Sequence, residues 1–158
     1  MNGSAKAQLS LKGRALRLLS QREHSRAELT RKLSAHESVP GELAQALDEL
    51  QARGFISEQR VAASVVHRRA ARLGGARLRH ELEGKGLERA LVEQTLAELR
   101  GSEFARAQAV WARKFGSPPA SAAERAKQTR FLLARGFAAE VVRRVLSAAG
   151  ASEPDESA

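Results

Sequence analysis

The chain has 158 residues, of which 42% are hydrophobic, so it suits one ordinary domain or a short array of repeats. It has no cysteine, which excludes disulfides and thiolate metal sites. No apolar run approaches the roughly 20 residues of a membrane-spanning helix. Residues 1–10 also lack the apolar centre of a secretory signal, so we expect a soluble, cytoplasmic protein.

The net charge of +9 arises from 27 Lys and Arg against 18 Asp and Glu, with Arg as the dominant cation. An arginine-rich surface favours polyanionic partners, because the guanidinium fork fits phosphates and carboxylates alike. Nucleic acid and an acidic protein surface both match this balance. A genome whose codon usage favours Arg and Ala would produce the same excess, so charge alone does not identify a partner.

Helix-favouring residues dominate, Tyr is absent, and apolar residues recur at helical spacing in almost every segment, which predicts an all-α fold. Helices are expected over residues 11–20, 25–34, 41–53, 57–73, 76–83, 87–99, 103–115, 120–135 and 138–149. Ser25 and Glu28 have the spacing of a capping box at the start of the second helix. Pro118 and Pro119 separate the seventh helix from the eighth.

A helical unit of about 50 residues recurs along the chain, which is typical of repeat proteins. Its clearest copies are 82–87 and 132–137, in which a helix stops at Gly86 or Gly136 and an apolar residue follows. We predict three tandem three-helix repeats, 9–54, 55–101 and 102–150, between disordered tails at 1–8 and 151–158. Each repeat buries little surface alone, so the repeats should form an elongated, curved array.

The middle repeat holds the strongest candidate for an interaction surface. On its first helix an apolar stripe becomes basic toward the C-terminal end, and the next helix and turn add further cations. The candidate contact residues are Arg68, Arg69, Arg72, Arg77, Arg79 and Lys85. Only Glu58, Glu81 and Glu83 oppose them locally, so we expect an electropositive contact surface. A solvated helix face without a partner is the alternative interpretation.

Sequence signals for catalysis and cofactors are weak. His80-Glu81 lacks a second histidine four positions on, which a zinc-binding helix would need. Gly84-Lys85-Gly86 has no preceding strand, so it is interpreted as a turn between helices and not as a phosphate-binding loop. We therefore predict a protein that is not an enzyme and holds no metal or cofactor.

Five of the six aromatic residues fall at core-like positions. They are Phe55, Trp111, Phe115, Phe131 and Phe137. We predict that these rings are buried, which leaves no row of exposed rings on which bases could stack. Recognition of a base sequence is therefore not expected, whereas contact with phosphates is compatible with the sequence.

Several of these motifs resemble the RecX family of RecA regulators. Residues 54–62 and 77–87 are similar to that family's glycine–aromatic helix entry and its Arg-x-x-Leu-x-x-Lys-Gly-Ile/Leu pattern. Residues 14–19 with 23–29 resemble the first repeat of the family, and 114–115 with 130–132 and 135–137 resemble the third. The chain departs from the family pattern at Ser57, Val61 and Gly84.

The resemblance implies three tandem three-helix repeats that bind RecA and the RecA–DNA filament. It further implies a non-enzymatic regulator that lies in the filament groove and inhibits recombinase and coprotease activity. We also expect a monomer that can contact DNA phosphates directly. The alternative function is a helical DNA-binding protein that contacts phosphates through its Arg-rich middle repeat. A scaffold with no fixed partner is the third interpretation.

Overall fold

The computed structural model of the protein describes residues 8–151, and these form nine α-helices and two 3-10 segments with no strand among them. The helices are α1 (Leu11–Gln21), α2 (Arg26–Leu33), α3 (Glu42–Ala52), α4 (Glu58–Arg69), α5 (Gly75–Gly84), α6 (Arg89–Leu99), α7 (Glu103–Lys114), α8 (Ala122–Ala134) and α9 (Ala139–Ala151). The 3-10 segments are Ser34–His36 and Arg100–Ser102. The predicted all-α class is confirmed, while the two predicted tails lie almost entirely outside the described residues.

Four serines begin helices by accepting a hydrogen bond from the backbone. The hydroxyl oxygens of Ser10, Ser25, Ser57 and Ser121 each accept from the amide three positions on, at 3.0, 3.1, 3.2 and 3.1 Å. Such caps satisfy an amide that has no acceptor within its helix. The capping box predicted at Ser25 is formed only in part, because the Glu28 carboxylate binds cationic side chains instead.

The described chain divides into two compact units, the first of which comprises residues 8–64 together with Lys85–Leu87. In this unit α1, α2 and α3 pack against one another. Leucine dominates the core, as the helical spacing of leucines predicts. The buried side chains are Leu11, Ala15, Leu29, Leu33, Leu43, Leu47, Leu50 and Ile56.

The second unit comprises residues 65–84 and 88–151. Here α5 packs on α6, and α7, α8 and α9 enclose a core around Trp111, Leu132 and Phe137. The indole nitrogen of Trp111 donates to the Gln128 side-chain oxygen at 2.8 Å, and the Gln128 amide donates to the Ser117 carbonyl at 3.2 Å. This chain of hydrogen bonds satisfies a buried indole N–H, which an apolar neighbour would leave without a partner.

Within the second unit, the turn before α5 touches the turn between α8 and α9 backbone to backbone. The Gly74 amide donates to the Arg135 carbonyl at 2.8 Å, and the Ala76 amide donates to the Gly136 carbonyl at 3.1 Å. A Cβ atom at Gly74 would lie 2.4 Å from backbone atoms of Gly136 and Phe137. Gly136 has φ of +90°, so this crossing needs glycine for conformation as well as for space.

Helix α4 ends at Arg69 and not at Leu73, so its predicted length was wrong. The guanidinium of Arg106, on α7, donates to the carbonyls of Ala70 and Leu73. If α4 continued, these carbonyls would accept hydrogen bonds from later backbone amides. Arg106 replaces those amides as the donor. Burial lowers the pKa of Arg106, in keeping with a side chain that serves the fold.

The prediction that Phe55 is buried was also wrong, since this side chain is 45% exposed. Its amide closes α3 by donating to the Leu50 carbonyl at 2.9 Å, and the next residue, Ile56, enters the core instead. Trp111 and Phe137 are buried as predicted. Phe115 and Phe131 are only half-buried.

Candidate interaction surfaces

The six candidate cations of the middle repeat differ in their surroundings. Five of them belong to the second unit, whereas Lys85 belongs to the first. The exposed members are Arg68, Arg72 and Arg77, and the half-buried members are Arg69, Arg79 and Lys85. Each half-buried member forms an ion pair within the chain.

Arg69 and Arg79 each hold a carboxylate with two nitrogens. Arg69 Nε and Nη2 donate to Glu81 Oε1 at 3.0 and 2.7 Å. Arg79 binds Glu93 through Nη1 and Nη2, with Nη2 donating to Oε2 at 3.1 Å. These hydrogen bonds raise the pKa of Arg79 and lower the pKa of Glu93. The pairs offset part of the positive charge that the sequence alone suggests.

Lys85 is the counterion of a buried carboxylate in the first unit. Its Nζ donates to Glu28 Oε1 at 2.9 Å, and Arg22 Nη2 lies 2.8 Å from Glu28 Oε2. The hydroxyl of Ser25 also donates to the Lys85 carbonyl. Burial by itself raises the pKa of Glu28, but the hydrogen bonds from Lys85 and Arg22 outweigh it and lower the pKa to about 2. Glu28 therefore stays ionised at neutral pH.

Glu58, Glu81 and Glu83 were expected as the only local opponents of these cations, and carboxylates from distant parts of the sequence add to them. Glu28 and Glu93 also bind them, and both lie too far along the chain from their partners to be noticed in a helix-face pattern. The interpretation of 84–86 as a turn is confirmed, because these residues end α5 and precede α6.

A second basic surface lies in the second unit, and the sequence analysis did not find it. It is a shallow groove of about 320 Å³ lined by Arg72, Arg113, Lys114 and Arg135 around the half-buried ring of Phe131. Lys114 Nζ lies 5.4 Å from the ring centre, and Arg135 Cζ lies 5.1 Å from it. We call this surface the α7–α8 groove.

The α7–α8 groove contains no carboxylate among the described residues that line it. Its four cations form no ion pair with any side chain in residues 8–151, unlike Arg69 and Arg79. Part of the groove has a sequence signal, since Arg135, the C-cap of α8, follows Phe131 by four residues. Arg72 was predicted as a contact residue of the middle repeat, but no sequence pattern places it beside Phe131, because it lies between α4 and α5 and reaches the groove only through tertiary packing.

His24 is a buried titratable group of the first unit, with 1% of its surface exposed. Its Nδ1 lies 3.0 Å from the Arg22 carbonyl, and its Nε2 lies 3.1 Å from Lys32 Nζ. An ammonium can only donate, so this geometry fits a neutral ring that donates from Nδ1 and accepts at Nε2. Burial lowers the pKa of His24, and we assign the residue to the fold.

In the part of the chain that the structure describes, no group of three or more His, Asp or Glu side chains is placed to hold a metal ion. Across those same residues no helix combines the length and the apolar character needed to cross a membrane. The candidate interaction surfaces of the described residues are two: the α7–α8 groove and the middle-repeat cations, which are Arg68, Arg69, Arg72, Arg77, Arg79 and Lys85.

Three family models match the chain in tandem. The first three-helix domain of RecX matches residues 12–50, the second matches 57–96 and the third matches 102–146. The chain belongs to the RecX family. The regulatory protein RecX of Leptothrix cholodnii is 57% identical over 143 residues, which are 90% of this chain and 91% of that protein. The regulatory protein RecX of Ralstonia nicotianae is 53% identical, over 90% of each chain.

Solved RecX structures have the same fold. A crystal structure of RecX from Lactobacillus salivarius superposes with a TM-score of 0.75 at 18% identity, over 89% of this chain and 95% of that one. A second crystal structure of regulatory protein RecX superposes with a TM-score of 0.73 at 19% identity, over 87% of this chain and 71% of that one. The likeness at such low identity concerns the helical architecture. The three family matches in tandem confirm the predicted fold class of three three-helix repeats.

Proposed function

We propose that this RecX family member binds RecA and its nucleoprotein filament and restrains recombinase and coprotease activity. The observation that carries the proposal is the tandem match of three RecX domains, together with relatives up to 57% identical that are regulatory proteins RecX. In this proposal the protein acts in the cytoplasm as a monomer, has no catalytic activity of its own and needs no metal or cofactor.

In the proposed mode of binding, the protein lies along the filament groove, and its repeated helical faces make many weak contacts with the filament. A filament presents the same protomer surface again and again. Once one three-helix domain is bound, the next domain meets its site at a high effective concentration, so affinity rises without a deep pocket. A regulator of this kind prefers the filament to free RecA, and its presence in the groove obstructs a second DNA or a substrate protein.

The middle-repeat cations remain our proposed contact residues, and we expect them to contribute unequally to binding. Arg72 and Arg77 are exposed and form no ion pair in residues 8–151, although Arg77 Nη1 donates to the Ala134 carbonyl at 3.0 Å, so a partner anion would meet its remaining donors. Arg69, Arg79 and Lys85 must share or break their ion pairs before they bind a partner, which costs part of the interaction energy. We expect the exposed arginines to contribute most.

The test adds the protein to RecA, single-stranded DNA and ATP and follows ATP hydrolysis and strand exchange. We expect both to fall as the concentration of the protein rises, and an absence of effect at saturation contradicts the proposed function. The contact residues are tested with Arg72→Glu combined with Arg77→Glu. The control is Arg125→Glu combined with Arg143→Glu, which reverses two exposed arginines of the same unit. Equal inhibition by both variants means that the contact residues were wrongly assigned.

Direct DNA binding through the middle repeat is the alternative function. It is the weaker proposal, because Arg69, Arg79 and Lys85 already bind carboxylates of this chain. It requires DNA binding without RecA that weakens steeply as salt rises. It also requires that the inhibition of RecA disappear when the middle-repeat cations are replaced. The inhibition should disappear likewise when DNA is supplied in excess over the wild-type protein.

A further inference from the structure

We propose that the α7–α8 groove binds the phosphate backbone of a DNA strand without reading its base sequence. This inference deepens the proposed function, since a regulator seated on a RecA filament is held beside DNA. It also stands apart from that function, because the groove can be tested with DNA alone.

The α7–α8 groove carries an excess of positive charge. Four cations converge on one groove, and the described residues that line it include no carboxylate. Elsewhere in the same unit, Arg69 and Arg79 each find a glutamate partner, which shows that carboxylates are present to pair with arginines. The groove therefore keeps an uncompensated positive potential that attracts an anion.

An aromatic ring in the groove supports two of its cations. The side chains of Lys114 and Arg135 lie against the Phe131 ring, which is itself held edge-on by Phe115 at 5.4 Å between ring centres. Contact with a ring restricts the motion of a long side chain, so less freedom is lost when a phosphate binds. Arg72 and Arg113 add exposed guanidinium groups, each able to hold a phosphate with two donors.

The chemistry of the groove favours phosphates over an acidic protein segment. A DNA strand carries a charge at every nucleotide, so it offers several anions to a group of cations at once. An acidic protein segment gains affinity mainly by burying apolar side chains at the centre of an interface. The apolar lining here is small, consisting of Phe131, Val110 and two alanines, and two cations already lie over the ring.

The absence of base reading follows from the same geometry. Bases stack on exposed aromatic faces, and single-strand binding proteins present several such faces in a row. The groove has one ring, which is half-buried and already contacted by two cations. Binding should therefore depend on charge and on salt but little on base composition.

The experiment measures the binding of a fluorescein-labelled oligothymidine to the full chain by fluorescence anisotropy, without RecA and over a range of salt. The test variant combines Arg113→Gln with Arg135→Gln, and the control combines Arg125→Gln with Arg143→Gln. Both remove two arginines from the second unit and lower the net charge equally, but only the first pair lines the groove. Circular-dichroism melting of each variant shows whether the fold is kept.

For single strands, log K falls with log salt by about 0.7 for each phosphate contact, so the loss of two contacts in the groove variant should make this dependence shallower by about 1.4. At about 50 mM salt the same two contacts correspond to a loss of affinity on the order of 50-fold, whereas the control variant should lose no more than about 2-fold. An oligomer of mixed bases should bind like oligothymidine. These results together support the proposal.

Other results overturn it. If the wild type does not bind the oligonucleotide at low salt, or if both variants lose affinity equally, the groove is not a phosphate site. If unlabelled polyglutamate binds the wild type more tightly than the oligonucleotide and the groove variant loses that binding, the occupant is an acidic protein segment. None of these results decides the RecA assay, in which a groove variant that still inhibits leaves the proposed function intact.

Discussion

Replacing Gly74 by alanine adds one methyl group at the point where two turns of the second unit touch. Carbon atoms in contact normally lie about 3.5 to 4.0 Å apart. The new Cβ would lie 2.4 Å from the carbonyl group of Gly136 and from the amide nitrogen of Phe137. These are backbone atoms that cannot rotate away as a side chain does, so the two turns must separate.

The energetic cost has two parts. Forcing an extra methyl group into a packed site costs about 1 to 3 kcal/mol. Separation of the turns also weakens the hydrogen bonds from Gly74 to Arg135 and from Ala76 to Gly136, at 2.8 and 3.1 Å, each worth about 1 kcal/mol. We therefore expect Gly74→Ala to lower the free energy of unfolding by about 3 kcal/mol, which corresponds to a fall in Tm of about 6 to 12 °C.

The matched control is Gly75→Ala, one residue further on. A Cβ atom at this position would meet only Glu103 Oε1, at the ordinary distance of 3.7 Å. Gly75 begins α5, and its amide can keep its 3.0 Å hydrogen bond to that carboxylate. Because alanine favours helix more than glycine, this variant should be as stable as the wild type or more stable by up to about 1 kcal/mol.

The assay is urea unfolding followed by circular dichroism, with the midpoint and the slope compared among the three proteins. If Gly74→Ala and Gly75→Ala unfold at the same urea concentration, the backbone contact between the two turns does not stabilise the unit. In that case the reasoning from Cβ clearance is refuted, since one glycine is crowded by backbone and its neighbour is not.

Three further predictions concern buried polar groups. Because burial lowers the pKa of His24 below 6.5, the unfolded chain binds a proton at a higher pH than the folded chain does, so the stability is complete above pH 6.5 and falls below it. His24→Gln should therefore reduce the change in the urea midpoint between about pH 7 and pH 5. The variant His36→Gln, at an exposed position, is the control and should not reduce it. Glu28→Gln should cost about 2 kcal/mol at neutral pH, which is less than the pKa shift alone implies, because solvent screens the exposed partner arginine. The lowered pKa of Glu28 predicts that its contribution to stability is lost as pH falls from 4.5 through about 2, and urea midpoints measured over this range should show a smaller loss in the variant than in the wild type. Gln128→Leu removes the acceptor of the buried indole and should cost about 1 to 3 kcal/mol in free energy of unfolding. In a double-mutant cycle with Trp111→Phe, the double variant should lose less than the sum of the two single losses. If the two losses simply add, the Trp111–Gln128 hydrogen bond does not couple the two residues.

The helices were largely predictable because their ends depend on nearby residues. The serine at position 25 caps the amide three residues on, and Gly54 and Gly136 each follow a helix end with a positive φ, as their places in the sequence suggest. The exception is the end of α4, which was placed four residues too late. There the terminating contact comes from Arg106, which lies 33 residues beyond Leu73 and was not visible as a local signal.

The candidate sites were less predictable, because the charge of a surface depends on which groups are close in space. Lys85 looked like part of a basic face, yet it is the counterion of Glu28, which lies 57 residues earlier. Arg79 lies beside Glu83 on its own helix, but it binds Glu93 from the next helix through two nitrogens. Electrostatic energy falls with distance and rises with burial, and helix spacing determines neither between separate elements.

The amino-acid sequence by itself determined the helical class, most helix ends and the resemblance to RecX, since periodicity, capping residues and motifs are written along the chain. Only the tertiary structure decided which arginines are paired with carboxylates and which converge without them in the α7–α8 groove. The physical reason is that a few ångströms separate an ion pair from an open binding surface, and the packing of distant helices sets those few ångströms.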